Sequence, residues 1–216
     1  MDEPWVDWEW VGAHRSLIVD LAEAHLELTV LAVVLGLVLS FPLALAARRW
    51  RRLYSPVLSA AGVLYAIPSL ALFALLVPWT GLTRTTALIA LVSYTLLILV
   101  RNIATGLDGV PSEVSEAATA MGMRAPRRLW TVELPLALPA VVAGIRVATV
   151  TTIGLVTVAA LIGHGGLGQL ILDGLNRDFR TPLVVGSALS VALAATADVV
   201  LVGVQRLFTP WARRDG

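Results

Sequence analysis

The chain has 216 residues, 57% of them hydrophobic and only 14% charged, against roughly 25% charged in an ordinary soluble domain. It has no cysteine, three dispersed histidines (His14, His25, His164) and a formal net charge of +1. Disulfides and thiolate metal sites are therefore excluded, and nucleic-acid binding has no electrostatic footing.

The first 27 residues carry seven acids and one arginine. They lack the basic start and small-residue cleavage site of a secretory signal. Trp5, Trp8 and Trp10 suit a membrane interface, and Val11–Ala24 reads as an amphipathic segment lying on the outer surface. Crossing a bilayer takes about 20 apolar residues. Five blocks qualify or nearly do: Leu28–Ala47, Pro56–Thr80, Thr85–Ile103, Leu138–Ile162 and Leu183–Gln205. The expected fold is all-α, a polytopic membrane protein of about five transmembrane helices. Residues 1–27 form an extracytoplasmic tail, 28–207 the transmembrane domain and 208–216 a cytoplasmic tail.

Arginines set the orientation. Eleven lie on one side of a five-span layout (Arg48, Arg49, Arg51, Arg52, Arg101, Arg124, Arg127, Arg128, Arg206, Arg213, Arg214) and four on the other (Arg15, Arg84, Arg177, Arg180). The expected location is the bacterial inner or plasma membrane, with the N-terminus outside and the C-terminus in the cytoplasm. Within the spans, Pro42, Pro68 and Pro78 each remove a backbone bond and favour a kink. Ile67-Pro68-Ser69, in mid-span, is a candidate pathway-lining bend. Ala32, Gly36, Gly62 and Ala66 offer small surfaces for helix packing.

The loop 104–135 carries the densest pattern. Pro111 suits a helix start, and Glu113 and Glu116 lie near its positive end. Ala117, Ala118 and Ala120 keep the helix surface small for another protein's approach, and Gly122 takes the left-handed position that ends it. Leu134-Pro135 and Pro139 set a break where the fourth span begins. Arg124, Arg127 and Arg128 are expected at the lipid head groups.

Past the fourth span, Gly163-His164-Gly165-Gly166-Leu167-Gly168 spells G-x-G-x-x-G. It follows an apolar span and has no acid about 20 residues on, so a dinucleotide site is rejected. A tightly turning loop at the outer end, a candidate gate or receptor-facing element, fits better. Arg146 and Asp198 are the only charges well inside the spans. Each lies eight residues from its inner end, roughly 12 Å at about 1.5 Å per residue. Equal depth makes an ion pair between them credible, one that locks spans four and five near the inner gate.

Glu116-Ala117-Ala118, x3, Gly122, x9, Val132-Glu133-Leu134-Pro135 resembles the "EAA" loop of ABC importer permeases. Ala66-Ile67-Pro68-Ser69-Leu70-Ala71-Leu72, Val100-Arg101-Asn102, Ala143-Gly144-Ile145-Arg146 and Leu161–Gly168 are similar to the osmoprotectant (glycine betaine, carnitine, choline, proline betaine) subfamily. The resemblance implies a type I importer fold and a pathway subunit rather than an enzyme. It implies ATPase coupling through Glu116, Ala117, Ala118, Gly122, Leu134 and Pro135. Pathway or gate candidates are Pro68, Ser69, Arg146, Asp198, Gly163, Gly165, Gly166 and Gly168. Implied partners are ABC ATPase subunits, which hold the ATP and Mg, a second permease subunit (identical or related), a separate binding protein and the bilayer; no cofactor binds this chain. Departures from the family pattern are His164, where alanine is common, the loop Thr80–Arg84 and the charged segment Asn176–Arg180. A permease for another small solute such as methionine is the alternative. An intramembrane enzyme is a remote one, since no converging catalytic set appears.

Overall fold

Asp7 starts the first element: its carboxylate accepts hydrogen bonds from the N–H groups of Glu9 and Trp10 and caps α1 (Trp8–Ala13). The computed structural model describes residues 5–208 and is helical throughout its ordered elements. After α1 come α2 (Arg15–Arg49), α3 (Arg51–Ala66), α4 (Ser69–Thr80), α5 (Arg84–Asp108), α6 (Ser112–Ala120) and α7 (Ala125–Arg128). A π-helical turn (Leu129–Glu133) leads into α8 (Leu134–Val158), a 3-10 turn (Ala159–Ile162), α9 (Gly168–Asn176) and α10 (Arg180–Phe208). Asp2, Glu3, Arg213, Arg214 and the tail beyond Phe208, all used in the sequence reading, lie outside the described residues.

Four helical runs are long and apolar enough to cross a bilayer, and the bent pair α3–α4 makes a fifth if it is one span. The bundle is built around α5. Half of its most apolar window is buried, against 11% for α10, which lies at the edge. One core cluster joins Ala44, Leu99, Ile103, Leu107, Ala137 and Val141 of α2, α5 and α8. A second joins Leu72 and Phe73 of α4 to Ala87, Ala90 and Tyr94 of α5. Close approach depends on missing side chains. A Cβ on Gly36 would lie 1.9 Å from Thr95 Oγ1, and one on Gly144 2.5 Å from Asn102 Cβ. Ala32 is fully buried beside Gly36's helix face, but Gly62 faces open space and Ala66 is exposed, so only the first pair of expected packing surfaces is used.

Two features differ from the sequence reading, and two of the span prolines are accommodated without a break. Arg15–Ala24 is not a separate surface segment but the first turns of α2, about 52 Å long at 1.5 Å per residue; nothing in it breaks a helix, so it propagates. Pro42 and Pro78 lie inside α2 and α4 without ending them. Leu134-Pro135 does not interrupt the chain, because Ala125–Ile162 is one helical run. There the π turn widens the backbone just before the proline, and the Leu134 N–H bonds to the Leu129 carbonyl, five residues back.

Pro68 does break its span. α3 and α4 meet at 96° across Ile67 and Pro68. The Ile67 carbonyl, left without a helical N–H, accepts a hydrogen bond from Tyr94 Oη at 2.6 Å. α4 then turns into α5 through a hydroxyl cluster, with Thr83 capping α5 and Thr86 Oγ1 donating to the Gly81 carbonyl at 2.6 Å.

The two ends of the bundle differ. Arg48, at the end of α2, meets Asp108, at the end of α5, with Nε–Oδ1 at 3.4 Å. That end also carries Arg49, Arg51, Arg52, Arg124, Arg127 and Arg128 and is called the arginine-rich end below. Arg84 pairs with Glu27 at 2.6 Å toward the opposite end of α5.

Candidate functional site

At the arginine-rich end the chain leaves α5 and forms α6, which presents Glu116 and Ala117 to solvent. Glu116 makes no hydrogen bond or ion pair to any described residue. Gly122 closes the helix as its spacing predicts. Its φ is +80°, its N–H bonds to the Thr119 carbonyl, and the Met123 N–H reaches the Ala118 carbonyl. Ala118 does not belong to the free surface; it is 2% exposed and packs against the bundle.

Beneath α6 lies a charge cluster centred on Glu133, which is 3% exposed. One carboxylate oxygen accepts from Arg48 Nη1. The other accepts from Arg128 Nε at 2.8 Å and lies 3.4 Å from Ser115 Oγ of α6. Arg128 Nη1 donates to Thr119 Oγ1, also on α6, at 2.6 Å. Arg48 reaches on to Asp108. The cluster thus ties the short exposed helix to the ends of α2 and α5 and to the start of α8's run. Arg128, expected at the lipid head groups, therefore also bonds within the protein, to a buried carboxylate five positions on. Leu134 and Pro135 are half-buried just after Glu133; the π turn, with one extra residue in its turn, sets the face on which Glu133 lies.

Farther into the bundle, Arg146 of α8 and Asp198 of α10 form the ion pair that depth arithmetic anticipates. Nε–Oδ1 is 3.0 Å and Nη2–Oδ2 3.2 Å, a two-pronged geometry. Arg146 Nη1 also donates to Gln205 Oε1 at 3.3 Å, and Gln205 Nε2 donates to the Pro139 carbonyl at 3.3 Å. Four residues thus join α8 to α10. The pair borders an open cleft of about 580 Å³ with Val147, Val150, Thr151 and Val191. Pro68 is exposed at the α3–α4 bend, with Ser69 half-buried beside it.

The glycine segment is a packing element. Gly163 is exposed with φ +81°. Gly165, Gly166 and Gly168 are buried, and a Cβ on them would meet Ala160 N at 2.2 Å, His25 Cβ at 2.5 Å and the Thr157 carbonyl oxygen at 2.3 Å. The backbone of these three lies against α2 and the end of α8. His164 is half-buried.

His25, Glu133 and Tyr94 are residues that sequence reasoning missed as site members. His25 is fully buried, with Nε2 at 3.0 Å from the Ile153 carbonyl, so that nitrogen carries the proton. A lone histidine in an apolar run was the available signal. Toward that same end Trp10 stacks on His14 with ring centroids 4.2 Å apart, and Phe179 meets it edge-on. The Asp7 N–H donates to Thr181 Oγ1 at 2.9 Å. Trp5, Trp8 and Trp79 remain exposed, as interface anchors would be. No group of metal-ligating side chains occurs among the described residues.

A family model described as binding-protein-dependent transport system inner membrane component matches residues 29–214. The osmoprotectant import permease protein OsmW of Salmonella typhimurium is 39% identical over 202 residues, covering 91% of this chain and 94% of that protein. The glycine betaine/carnitine/choline transport system permease protein OpuCB of Bacillus subtilis is 37% identical over 187 residues, covering 86% of each. Among solved structures, a chain of the inward-facing MetNI methionine ABC transporter has a TM-score of 0.80 at 21% identity, covering 91% of this chain and 98% of that one. An amino acid ABC transporter gives 0.77 at 20%. At such identities the likeness establishes the fold.

Proposed function

The chain belongs to the binding-protein-dependent transport system inner membrane components, and from that premise we propose that it forms the pathway for quaternary ammonium osmoprotectants such as glycine betaine, choline and carnitine. It is a multi-pass permease of an ABC importer and not itself the ATPase. The substrate class rests on relatives named for these solutes that are 35–39% identical over most of both chains. The observation that carries the mechanism is α6, an exposed helix with an unpartnered glutamate that is fixed to three long helices through Glu133.

On this reading the arginine-rich end is cytoplasmic and the N-terminus lies outside, so 1–27 is the external tail, 104–135 the coupling loop and 208–216 an internal tail. α6 docks on an ATPase subunit, a second permease (identical or related) completes the pathway, and an external binding protein delivers the solute. A rigid docking helix on a bistable bundle converts closure of the ATPase dimer into rocking of the spans. Pro68 and Ser69 line the bend of the pathway, and Arg146–Asp198 locks α8 to α10 in one of its states. The exposed Gly163 remains a candidate gate hinge.

The lock has a definite test. Arg146→Ala and Asp198→Ala each lower uptake, and because they break one interaction the double variant is no worse than the poorer single one. Losses that multiply across the two sites contradict a shared lock. The substrate class is tested by ATPase activity of the reconstituted complex. A binding protein loaded with glycine betaine or choline is expected to stimulate hydrolysis, whereas stimulation only with a methionine-loaded protein assigns the permease to another solute.

A further inference from the structure

A second cleft at the arginine-rich end shares Arg48, Arg128 and Glu133 with the cluster under α6, but its remaining residues have no part in that mechanism. It measures about 590 Å³ and is lined by Leu45, Arg48 and Arg49 of α2 and by Arg128, Leu129 and Trp130 of the α7–π segment, with the Glu133 carboxylate, already held by Arg48 and Arg128, at its edge; no α6 residue lines it. Its rim is cationic and its floor apolar. Arg49 is exposed and makes no ion pair to any described residue. Arg48 and Arg128 each spend two nitrogens on Glu133, Asp108 or Thr119, which leaves further N–H donors of the five that each guanidinium carries. Trp130 is 59% exposed, although its ring stacks on Phe41 with centroids 5.5 Å apart. Phe41 lies eight residues before Arg49 on α2, about 12 Å deeper along the helix. The cleft therefore runs from guanidiniums at the helix end, past Leu45 and Leu129, to Trp130, whose ring is backed by Phe41.

This polarity gradient matches one molecule, an anionic phospholipid. A phosphate diester carries the charge that guanidiniums chelate, and the first acyl carbons require an apolar wall directly below it. Tryptophan at this level is the side chain suited to the ester region, with an apolar body and a polar N–H. A soluble anion would leave the Leu45–Leu129–Trp130 wall uncovered, and a protein surface would have to bring matching acids to membrane depth. We propose that the cleft between the end of α2 and the α7–π segment is a specific site for an anionic phospholipid of the leaflet at the arginine-rich end, with Arg49 binding the phosphate and Trp130 flanking the acyl ester region. The proposal rests on the chain spanning a bilayer and not on which solute is carried. Lipid bound there would lean on Arg48 and Arg128, two arms of the Glu133 cluster, so its presence reaches the base of α6.

The experiment is native mass spectrometry of the intact permease–ATPase complex in mild detergent, offered equal amounts of phosphatidylglycerol and phosphatidylcholine. The wild type is expected to retain phosphatidylglycerol in preference to phosphatidylcholine. Arg49→Gln lowers that retention about fivefold, the effect of one arginine at an anionic surface. Arg49→Gln with Trp130→Ala lowers it further, with ATPase subunits still bound and the melting temperature unchanged for the single variant. Equal retention of the two lipids, or undiminished phosphatidylglycerol on Arg49→Gln, overturns the site. Loss of ATPase subunits from Arg49→Gln with lipid retention intact also overturns it and assigns the cleft to the ATPase interface.

Discussion

Glu116→Arg leaves the permease folded and inserted but releases the ATPase subunits and abolishes uptake. The side chain is exposed and bonds to no described residue, so its replacement costs the bundle no more than the roughly 0.5 kcal/mol typical of a surface change. Its value lies outside the chain, midway along α6, where the neighbouring alanine, Ala117, permits close approach. Truncating a central contact of this kind costs about 2 kcal/mol or more in binding, some 30-fold in affinity, and reversing its charge adds repulsion. Co-purification of tagged ATPase with the variant measures this. A variant that transports normally removes α6 as the docking element.

Glu133→Gln has a different signature: the ATPase stays bound, but hydrolysis is uncoupled from transport. The amide keeps the shape of the side chain, but its one carbonyl oxygen can accept from only one of Arg48 and Arg128 while its NH2 turns a donor toward the other, and both guanidiniums lose the negative charge they now bond. Because Arg48 and Arg128 are partly exposed, the loss stays below the roughly 3–5 kcal/mol of a fully buried pair. Part of that appears as a lower melting temperature. The rest appears as lost rigidity between α6 and the ends of α2, α5 and α8, which Ser115, Thr119, Arg48 and Asp108 otherwise share through the cluster. Solute moved per ATP is expected to fall by about tenfold or more, a loss of roughly 1.4 kcal/mol in coupling. A purely structural role predicts that uptake and hydrolysis fall together with membrane abundance. Uptake and stoichiometry unchanged in Glu133→Gln contradict the clamp altogether.

These two glutamates show what was legible in the sequence. The helix around Glu116 was readable because its signals are local: an acidic first turn, alanines, and a glycine at the left-handed stop. Arg146–Asp198 was readable because depth in two antiparallel spans follows from counting residues. Glu133 was quoted within a motif, yet its environment was hidden. Arg48 lies 85 positions away, and the π turn that sets the carboxylate's face leaves no residue pattern distinguishable from a proline break. The proline signal marked a real break at Pro68, where Tyr94 satisfies the freed carbonyl, and none at Pro135, where the π turn absorbs the proline. The glycine segment was legible as a tight turn, as the positive φ of Gly163 and Gly166 reflects, whereas the close approach to His25 arises only from how α2 packs. The length of α2 was underestimated because the charges before Glu27 resemble an interfacial face, although no helix breaker separates them from the span.

The most direct measurement is uptake of labelled glycine betaine, with choline and methionine as comparators, into ATP-loaded proteoliposomes. These would hold the complete complex with its binding protein, in wild-type and Glu116→Arg forms. The expected result is ATP-dependent uptake of betaine or choline by the wild type and none by the variant, at equal permease content. Methionine uptake without betaine or choline uptake contradicts the proposed substrate class, and betaine uptake that survives Glu116→Arg contradicts the coupling account.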